Sequence, residues 1–330
     1  MRHARRVIDV ITMRIMPLPS GEQFVLEKDG FRAVITEIGA TLRSFSFDGV
    51  PIVWGFPEDE LCSAGRGQVL APWPNRIEDG TYHFEGTLGV VPLDEPARNN
   101  AIHGLVRWLM WRGVQAGRDS AKFSCVLSPQ PAYPFWVSLD VTYGLTDEGL
   151  LVTTRATNLD NKKVPFGLGF HSYFAPTGKS LDESSLIIPA RRHLVLDDRL
   201  LVIGEESVVG AKALAGSETR EGQVRFARLR DVVLDDCFGD LERDANGRWY
   251  ASLIPCGPPG HSFEVWGDAT FKYIMCFTGE STDASMHRKA VAIEPMTCPP
   301  NAFRSGTDLV VLDPGASYVG SWGIAQSTRA

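Results

Sequence analysis

The chain has 330 residues, 44% of them hydrophobic and 22% charged, the composition of a soluble globular protein with material for a large core rather than of a disordered one. A net charge of −7 at pH 7 excludes non-specific attraction to nucleic acid or an anionic membrane, which rests on clustered positive charge. The six cysteines, at 62, 125, 237, 256, 276 and 298, include no C-x-x-C pair and no His/Cys set at zinc spacing, so they read as small apolar core residues in a reducing compartment.

The start, MRHARRVIDVITMRIMPLPS, is basic, and Asp9, Thr12 and Arg14 interrupt its apolar runs too often for a signal-peptide core or a membrane span. Residues 1–20 are expected to be a loose extension, and 21–330 a single folded domain of a cytoplasmic protein. From residue 22 onward, β-branched and aromatic runs are punctuated by Asp29-Gly30 and Asp48-Gly49, turns where positive φ is cheap, which predicts hairpins. Within 137–158 a Thr-Asp-Glu-Gly turn joins two alternating segments, and the same grammar continues through SLIIPA, VVLDDCF and AVAIEP to ASYVGSWGI. Segments of this kind spaced roughly ten residues apart, with no sustained helical stripe between them, predict an all-β fold: one large antiparallel β-sandwich with few short helices. The polar, glycine-rich segment 205–222 reads as a long surface loop. No repeat of fixed period is found.

Five of the seven histidines, His3, His83, His193, His261 and His287, lie in the extension or among ordinary strand and loop residues. His103 differs. It stands in NNAIHGLVRWLMW, where Gly104 permits a turn or a close approach and Trp108 and Trp111 supply flat apolar surface of the kind that holds a sugar. His171, in FGLGFHSYFAP, reads equally as a core residue, a metal ligand or a proton donor. Glu294 follows four apolar residues and precedes a proline; a buried carboxylate there needs a partner or a task. Arg76 stands beside Trp73 in LAPWPNRIEDG, and Asp235 and Asp236 end an apolar run. A surface turn and a solvated strand end are the plainer readings of these two. No G-x-S-x-G, P-loop or complete G-x-G-x-x-G occurs, and positions 103, 171 and 294 form no H-x-H or H-E-x-x-H pair. Metal-free acid–base work is the simpler assignment.

Five segments in order resemble the aldose 1-epimerase (galactose mutarotase-like) family: Pro74-Asn75-Arg76-Ile77, Ala101-Ile102-His103-Gly104, Gly169-Phe170-His171-Ser172-Tyr173-Phe174, Asp235-Asp236-Cys237-Phe238, and Ile293-Glu294-Pro295 with Pro300-Asn301-Ala302-Phe303. The resemblance implies a single large β-sandwich with an open sugar cleft, and interconversion of the α and β anomers of a free hexose or hexose derivative. It implies Glu294 as base, His171 as acid, and His103 as a hydrogen-bonding group near the ring oxygen and C1. Arg76, Asp235, Asn75 and Trp73 are implied to hold the sugar. Neither metal nor cofactor is expected, the only partner is a sugar, and a monomer or homodimer is consistent with the pattern. Asp235 is preferred to Asp236 because it lies three residues before Phe238.

The chain departs from the family pattern at Ser172, where proline is usual, and at Met296 and Asp236, where galactose-specific members carry glutamine and histidine. Trp73-Pro74 before Asn75 is similar to a bacterial branch whose substrates include less common or acidic sugars, which makes Arg66, Arg107 and Arg112 candidate contacts for an anionic substituent. The alternative is a non-catalytic carbohydrate-binding protein on the same scaffold. Both histidines and the glutamate are present, which argues for catalysis.

Overall fold

A computed structural model describes residues 17–327 apart from 132, 177–179, 212, 213, 215, 255–261 and 281–286. Most of the expected N-terminal extension, together with Cys256 and His261, lies outside the described residues. At the first described turn, the Gly21 N–H donates to the Leu18 carbonyl at 2.9 Å and the Ile38 N–H to the Ser20 carbonyl at 3.0 Å.

Both Asp-Gly pairs form the hairpins expected of them. Asp29 and Gly30 have φ of 47° and 86°, and Asp48 and Gly49 have 46° and 77°; two consecutive left-handed residues give a turn whose twist matches that of the strands it joins. They link Gln23–Lys28 to Phe31–Thr36 and Leu42–Phe47 to Val50–Val53. In Val137–Leu145 every second residue is buried, the period of a strand with one face in the core.

Two large antiparallel sheets result. The first, of twelve strands, runs through Gln23–Lys28, Phe31–Thr36, Leu42–Phe47, Val50–Val53, Tyr173–Phe174, Val291–Met296, Tyr273–Phe277, Asp235–Leu241, Ala190–Leu196 and Val202–Ser207, with Gly169–Phe170 and Val69–Leu70 attached beside Val291–Met296. The second, of ten strands, runs through Arg112–Gln115, Ser120–Leu127, Val137–Leu145, Gly149–Asn158, Ser317–Gln326, Phe263–Gly267, Trp249–Ile254, Ser185–Ile188, Gln223–Phe226 and Ser217–Arg220. Their inner faces meet in one core, in which Phe45, Phe238 and Ile293 of the first sheet join Phe123, Val141 and Trp322 of the second. Phe170 and Trp322 pack across the interface at 5.0 Å between ring centroids. Full burial of a side chain of this size stabilises by about 1.5–3 kcal/mol. The helical elements are short: Ala302–Ser305 and the 3₁₀ turns Pro96–Arg98 and Leu181–Glu183. The fold is the predicted all-β sandwich.

One expectation is corrected. Segment 205–222 is not a loop throughout: Val202–Ser207 is the edge strand of the first sheet and Ser217–Arg220 that of the second, so the chain crosses from one sheet to the other within it. Neither strand has a buried residue. An edge strand with little of its surface in the core needs no apolar alternation, and its polar side chains also discourage pairing with another chain. The described cysteines are free, with Cys62, Cys237, Cys276 and Cys298 buried and Cys125 half-buried.

Candidate active site

Strand Val291–Met296 is buried along its whole length. It lies between Tyr173–Phe174 and Tyr273–Phe277 in the middle of the first sheet. Ile293 enters the sandwich core; by strand alternation Glu294 points to the opposite face, the one that carries the site. Glu294 is 2% exposed. Its Oε1 lies 3.4 Å from His171 Nε2, and its Oε2 has no hydrogen-bond partner. The cross-strand set Glu294, Met275, Cys237 places Asp235, two residues before Cys237, on the same face. Asp236 therefore faces away, and its Oδ1 lies 2.7 Å from His193 Nε2, while Glu206 takes the other ring nitrogen at 3.0 Å.

His171 is held by its backbone and by both sides of its ring. Its N–H donates to the Gln68 carbonyl at 3.1 Å and its own carbonyl accepts from the Gly67 N–H at 2.8 Å. The imidazole stacks on Tyr173, at 5.0 Å and 21°. Gly65 sits against the ring, where a Cβ would come within 3.0 Å of Cδ2, and the Tyr173 hydroxyl donates to the Ala64 carbonyl at 3.3 Å. The loop 64–68 thus fixes the ring while leaving Nε2 toward Glu294 and Nδ1 without a partner. Ser172 is buried, with no partner for its hydroxyl; nothing in the structure explains serine in place of proline.

Arg76 and His103 arrive on a two-stranded ribbon. Arg76–Glu78 pairs with Asn100–Ile102, Arg76 opposite Ile102, so His103 emerges one residue later beside Asn75. Asn75 and His103 both take left-handed φ, 55° and 65°, and the His103 N–H donates to the Asn75 carbonyl at 2.9 Å. Gly104 follows with φ +73°, and a Cβ there would lie 2.1 Å from the Ala71 carbonyl oxygen; only glycine fits. The turn sets the His103 ring perpendicular to His171, at 5.1 Å and 78°. Arg76 is 6% exposed, and its Nη2 lies 3.9 Å from Asp235 Oδ2. The plainer reading of Arg76, a surface turn, does not hold.

Burial governs the charges here. It pushes the Glu294 carboxyl well above its ordinary 4.5, with Asp235 adding to the rise and Arg76 opposing it. Burial holds the His171 imidazole down to about 3, and the nearby Arg107 and Arg76 charges lower it further. His103 is also held well below its ordinary value, by burial and then by His171, Arg107 and Arg76. Asp235 is raised by burial against the pull of Arg76. Burial thus disfavours the charged form of each member of the Glu294–His171 pair, and at 3.4 Å the two titrate as a unit.

Six of the seven predicted site residues share one region: His103, His171, Glu294, Arg76, Asp235 and Asn75 are linked through the contacts above. Trp73 is buried against Phe303, at 5.6 Å, and its indole N–H is unpartnered. Of the three arginines weighed for an anionic substituent, Arg107 alone acts on both site imidazoles, and it is paired with Asp94 at 2.8 Å. The Arg66 guanidinium donates to the Gly55 carbonyl and to Ser63 and lies over Trp54 at 4.7 Å. Arg112 is exposed on an edge strand of the second sheet. The sequence reading missed Glu95, which binds Arg76, and the loop 64–68, whose role depends on contacts distant in sequence. Among the described residues no three or more His, Cys, Asp or Glu side chains gather as a metal ion would require. No helix of these residues is long and apolar enough to cross a membrane.

The aldose 1-epimerase family model matches residues 22–324. The chain belongs to that family. It is 29% identical over 303 residues to the uncharacterized Escherichia coli (strain K12) protein YihR, with 91% of each chain covered. Among solved structures it resembles a GalM/aldose epimerase homologue from C. elegans, with a TM-score of 0.78 at 20% identity over 93% of this chain and 99% of that one. A galactose 1-epimerase from Lactobacillus acidophilus gives 0.73 at 19%, over 92% and 94%. Such identities establish the shared aldose-epimerase fold. Membership in the family supports an isomerase-type function on carbohydrate.

Proposed function

We propose that the protein interconverts the α and β anomers of a free hexose or hexose derivative. The observation that carries this reading is the buried pair of His171 Nε2 and Glu294 Oε1, 3.4 Å apart, with one carboxylate oxygen left unpartnered. Ring opening needs one group to take the proton from the C1 hydroxyl and another to give one to the ring oxygen as the C1–O5 bond breaks. Glu294 takes the first role and His171 the second, which requires the proton shared across their 3.4 Å contact to stand on His171 Nε2 as the ring opens; His103, perpendicular to His171, donates or accepts near the ring oxygen. Rotation about C1–C2 and closure on the other face return both protons and yield the other anomer, leaving the enzyme unchanged. The pair needs only one proton between its members, since closure exchanges the roles used in opening. Arg76 and Asp235 hold hydroxyls on the opposite side and fix the ring over the pair, with Asn75 beside them, while Trp73, buried against Phe303, supports the turn that carries them rather than the sugar.

The direct test dissolves crystalline α-glucose, α-galactose and an acidic aldose separately and follows optical rotation with and without the protein. Acceleration of at least one sugar over its spontaneous rate is expected; sugar binding with no acceleration of any would leave a carbohydrate-binding protein instead. The pH dependence sharpens the test. With His171 held at about 3 and Glu294 raised well above 4.5, the pair holds one proton over a window that reaches from the low value of the imidazole to the raised value of the carboxyl. After subtraction of the spontaneous rate, kcat/KM should show no histidine titration at 6.5, the ordinary value of the imidazole. It should fall only where a second proton arrives at low pH or the shared proton leaves at high pH. An inflection near 6.5 would show an acid of ordinary character at work.

A further inference from the structure

We infer that Glu95 is a positioning residue that keeps Arg76 from collapsing onto Asp235, so that both stay available to the sugar; this rests on the anomerase reading above. Glu95 Oε2 accepts from Arg76 Nε at 2.8 Å and Oε1 from Arg76 Nη2 at 2.9 Å, a fork-on-fork pair that fixes the plane of the guanidinium. Arg98 Nη1 donates to Oε1 at 3.1 Å and Asn100 Nδ2 to Oε2 at 3.1 Å. A carboxylate offers about four acceptor sites, and these four contacts fill them. Glu95 therefore has no acceptor left for a substrate hydroxyl, and whatever it does for the reaction passes through Arg76.

The Arg76 side of the pair completes the case. Its Nη1 also donates to Asn75 Oδ1 at 3.3 Å. Three of the five guanidinium hydrogens are thereby taken, leaving one on each terminal nitrogen for the sugar side. Asp235 Oδ2 lies 3.9 Å from Nη2, close enough to attract the guanidinium and too far for a good hydrogen bond. Without Glu95 the same nitrogen would close that gap, and each group would consume the other's capacity for sugar hydroxyls. Glu95 cannot itself swing away, because its backbone is closed into a tight loop: its N–H donates to the Asn100 carbonyl at 3.0 Å and the Asn100 N–H to its carbonyl at 3.2 Å, around the turn Pro96–Arg98. Its side chain is 14% exposed, which limits competition by water. Burial raises the Glu95 carboxyl, but Arg76 and Asn100 outweigh it and hold the group below its ordinary value, so it remains charged at neutral pH.

The test is a double-mutant cycle on the full chain with the sugar that wild type turns over best. Glu95→Gln should raise KM roughly ten- to hundredfold with kcat within about threefold of wild type. In an Arg76→Met background the same change should leave kcat/KM, read from initial slopes, unaltered within about twofold. Thermal melts establish that each variant is folded, and Glu95→Asp, which keeps the charge but is one methylene shorter and so draws the carboxylate back from the guanidinium, replaces Glu95→Gln in the cycle if the latter does not fold. An unchanged KM, a loss confined to kcat, or an equal loss in both backgrounds would overturn the inference. Sugar affinity measured by calorimetry in the same four proteins separates the two claims. A wild type that binds sugar without accelerating mutarotation defeats the anomerase reading, while the cycle is still decided on Kd.

Discussion

Replacement of Glu294 by glutamine is expected to lower kcat/KM for the best substrate by about 10³-fold, within the range lost with a general acid or base. The amide matches the carboxylate in shape and cannot exchange a proton at neutral pH. The loss should fall on kcat, because in the proposed mechanism Glu294 acts at the C1 hydroxyl while Arg76 and Asp235 hold the rest of the ring. The strand Val291–Met296 is paired on both sides, so the backbone should stay in place. Stability should move the other way. The Glu294 carboxyl is raised in the folded state, so as pH rises from its ordinary 4.5 toward its folded value the unfolded chain loses a proton that the native one keeps. Wild type loses stability over that window; the glutamine variant has no such term. Its melting temperature should therefore gain on that of wild type as pH increases from about 4.5 to neutrality, a comparison made by calorimetry at several pH values. A variant that is inactive but no better relative to wild type at high pH would mean that the carboxylate is compensated by partners not seen here.

The second large effect is expected at His171. His171→Asn should reduce kcat/KM by roughly 10²- to 10³-fold, since asparagine can hydrogen-bond near the ring oxygen but cannot give it a proton. The double variant with Glu294→Gln should be little worse than the poorer single one, because the two groups work as a unit; losses that multiply would mean independent roles. Here, too, pH separates chemistry from packing. The His171 imidazole is held down to about 3 when folded. As pH falls below its ordinary 6.5 the unfolded chain gains a proton that the native ring refuses, and wild type loses stability progressively toward 3. The asparagine variant lacks that acid sensitivity. It does lose the stacking on Tyr173 and the contact with Gly65, so its melting temperature should be lower at pH 8 and the deficit should shrink at pH 5, as thermal melts at both would show.

The elements legible in the sequence were those whose local chemistry and long-range role agree. Asp29-Gly30 and Asp48-Gly49 are turns because of their own backbone preferences, and Val137–Leu145 alternates because one of its faces is in the core. Val202–Ser207 and Ser217–Arg220 escaped notice because an edge strand is stabilised by backbone pairing, which leaves little trace in side-chain pattern. Of the candidate site, the residue types stood out: a glutamate in an apolar strand, histidines beside glycine and aromatics. Their arrangement did not. Asp235 and Asp236 are one residue apart in sequence and on opposite faces of the sheet in space, where the first meets Arg76 and the second His193. Glu95 carried no signal, because its partner Arg76 is 19 positions away and nothing local marks a carboxylate that will be buried against a guanidinium.

The position of Ser317–Gln326 between Gly149–Asn158 and Phe263–Gly267 has a consequence for the order in which the molecule can form. Among the described residues, the strands of 112–158 and those of 185–267 are joined in one sheet through this segment, so before it docks each half presents an open edge of unpaired amides and carbonyls. Such edges are where partly folded β-proteins associate with one another. The same segment brings Trp322 against Phe170, the neighbour of His171. Closing the second sheet therefore also packs the residue next to the histidine, and chains in which this strand fails to dock would lack that support and present open edges.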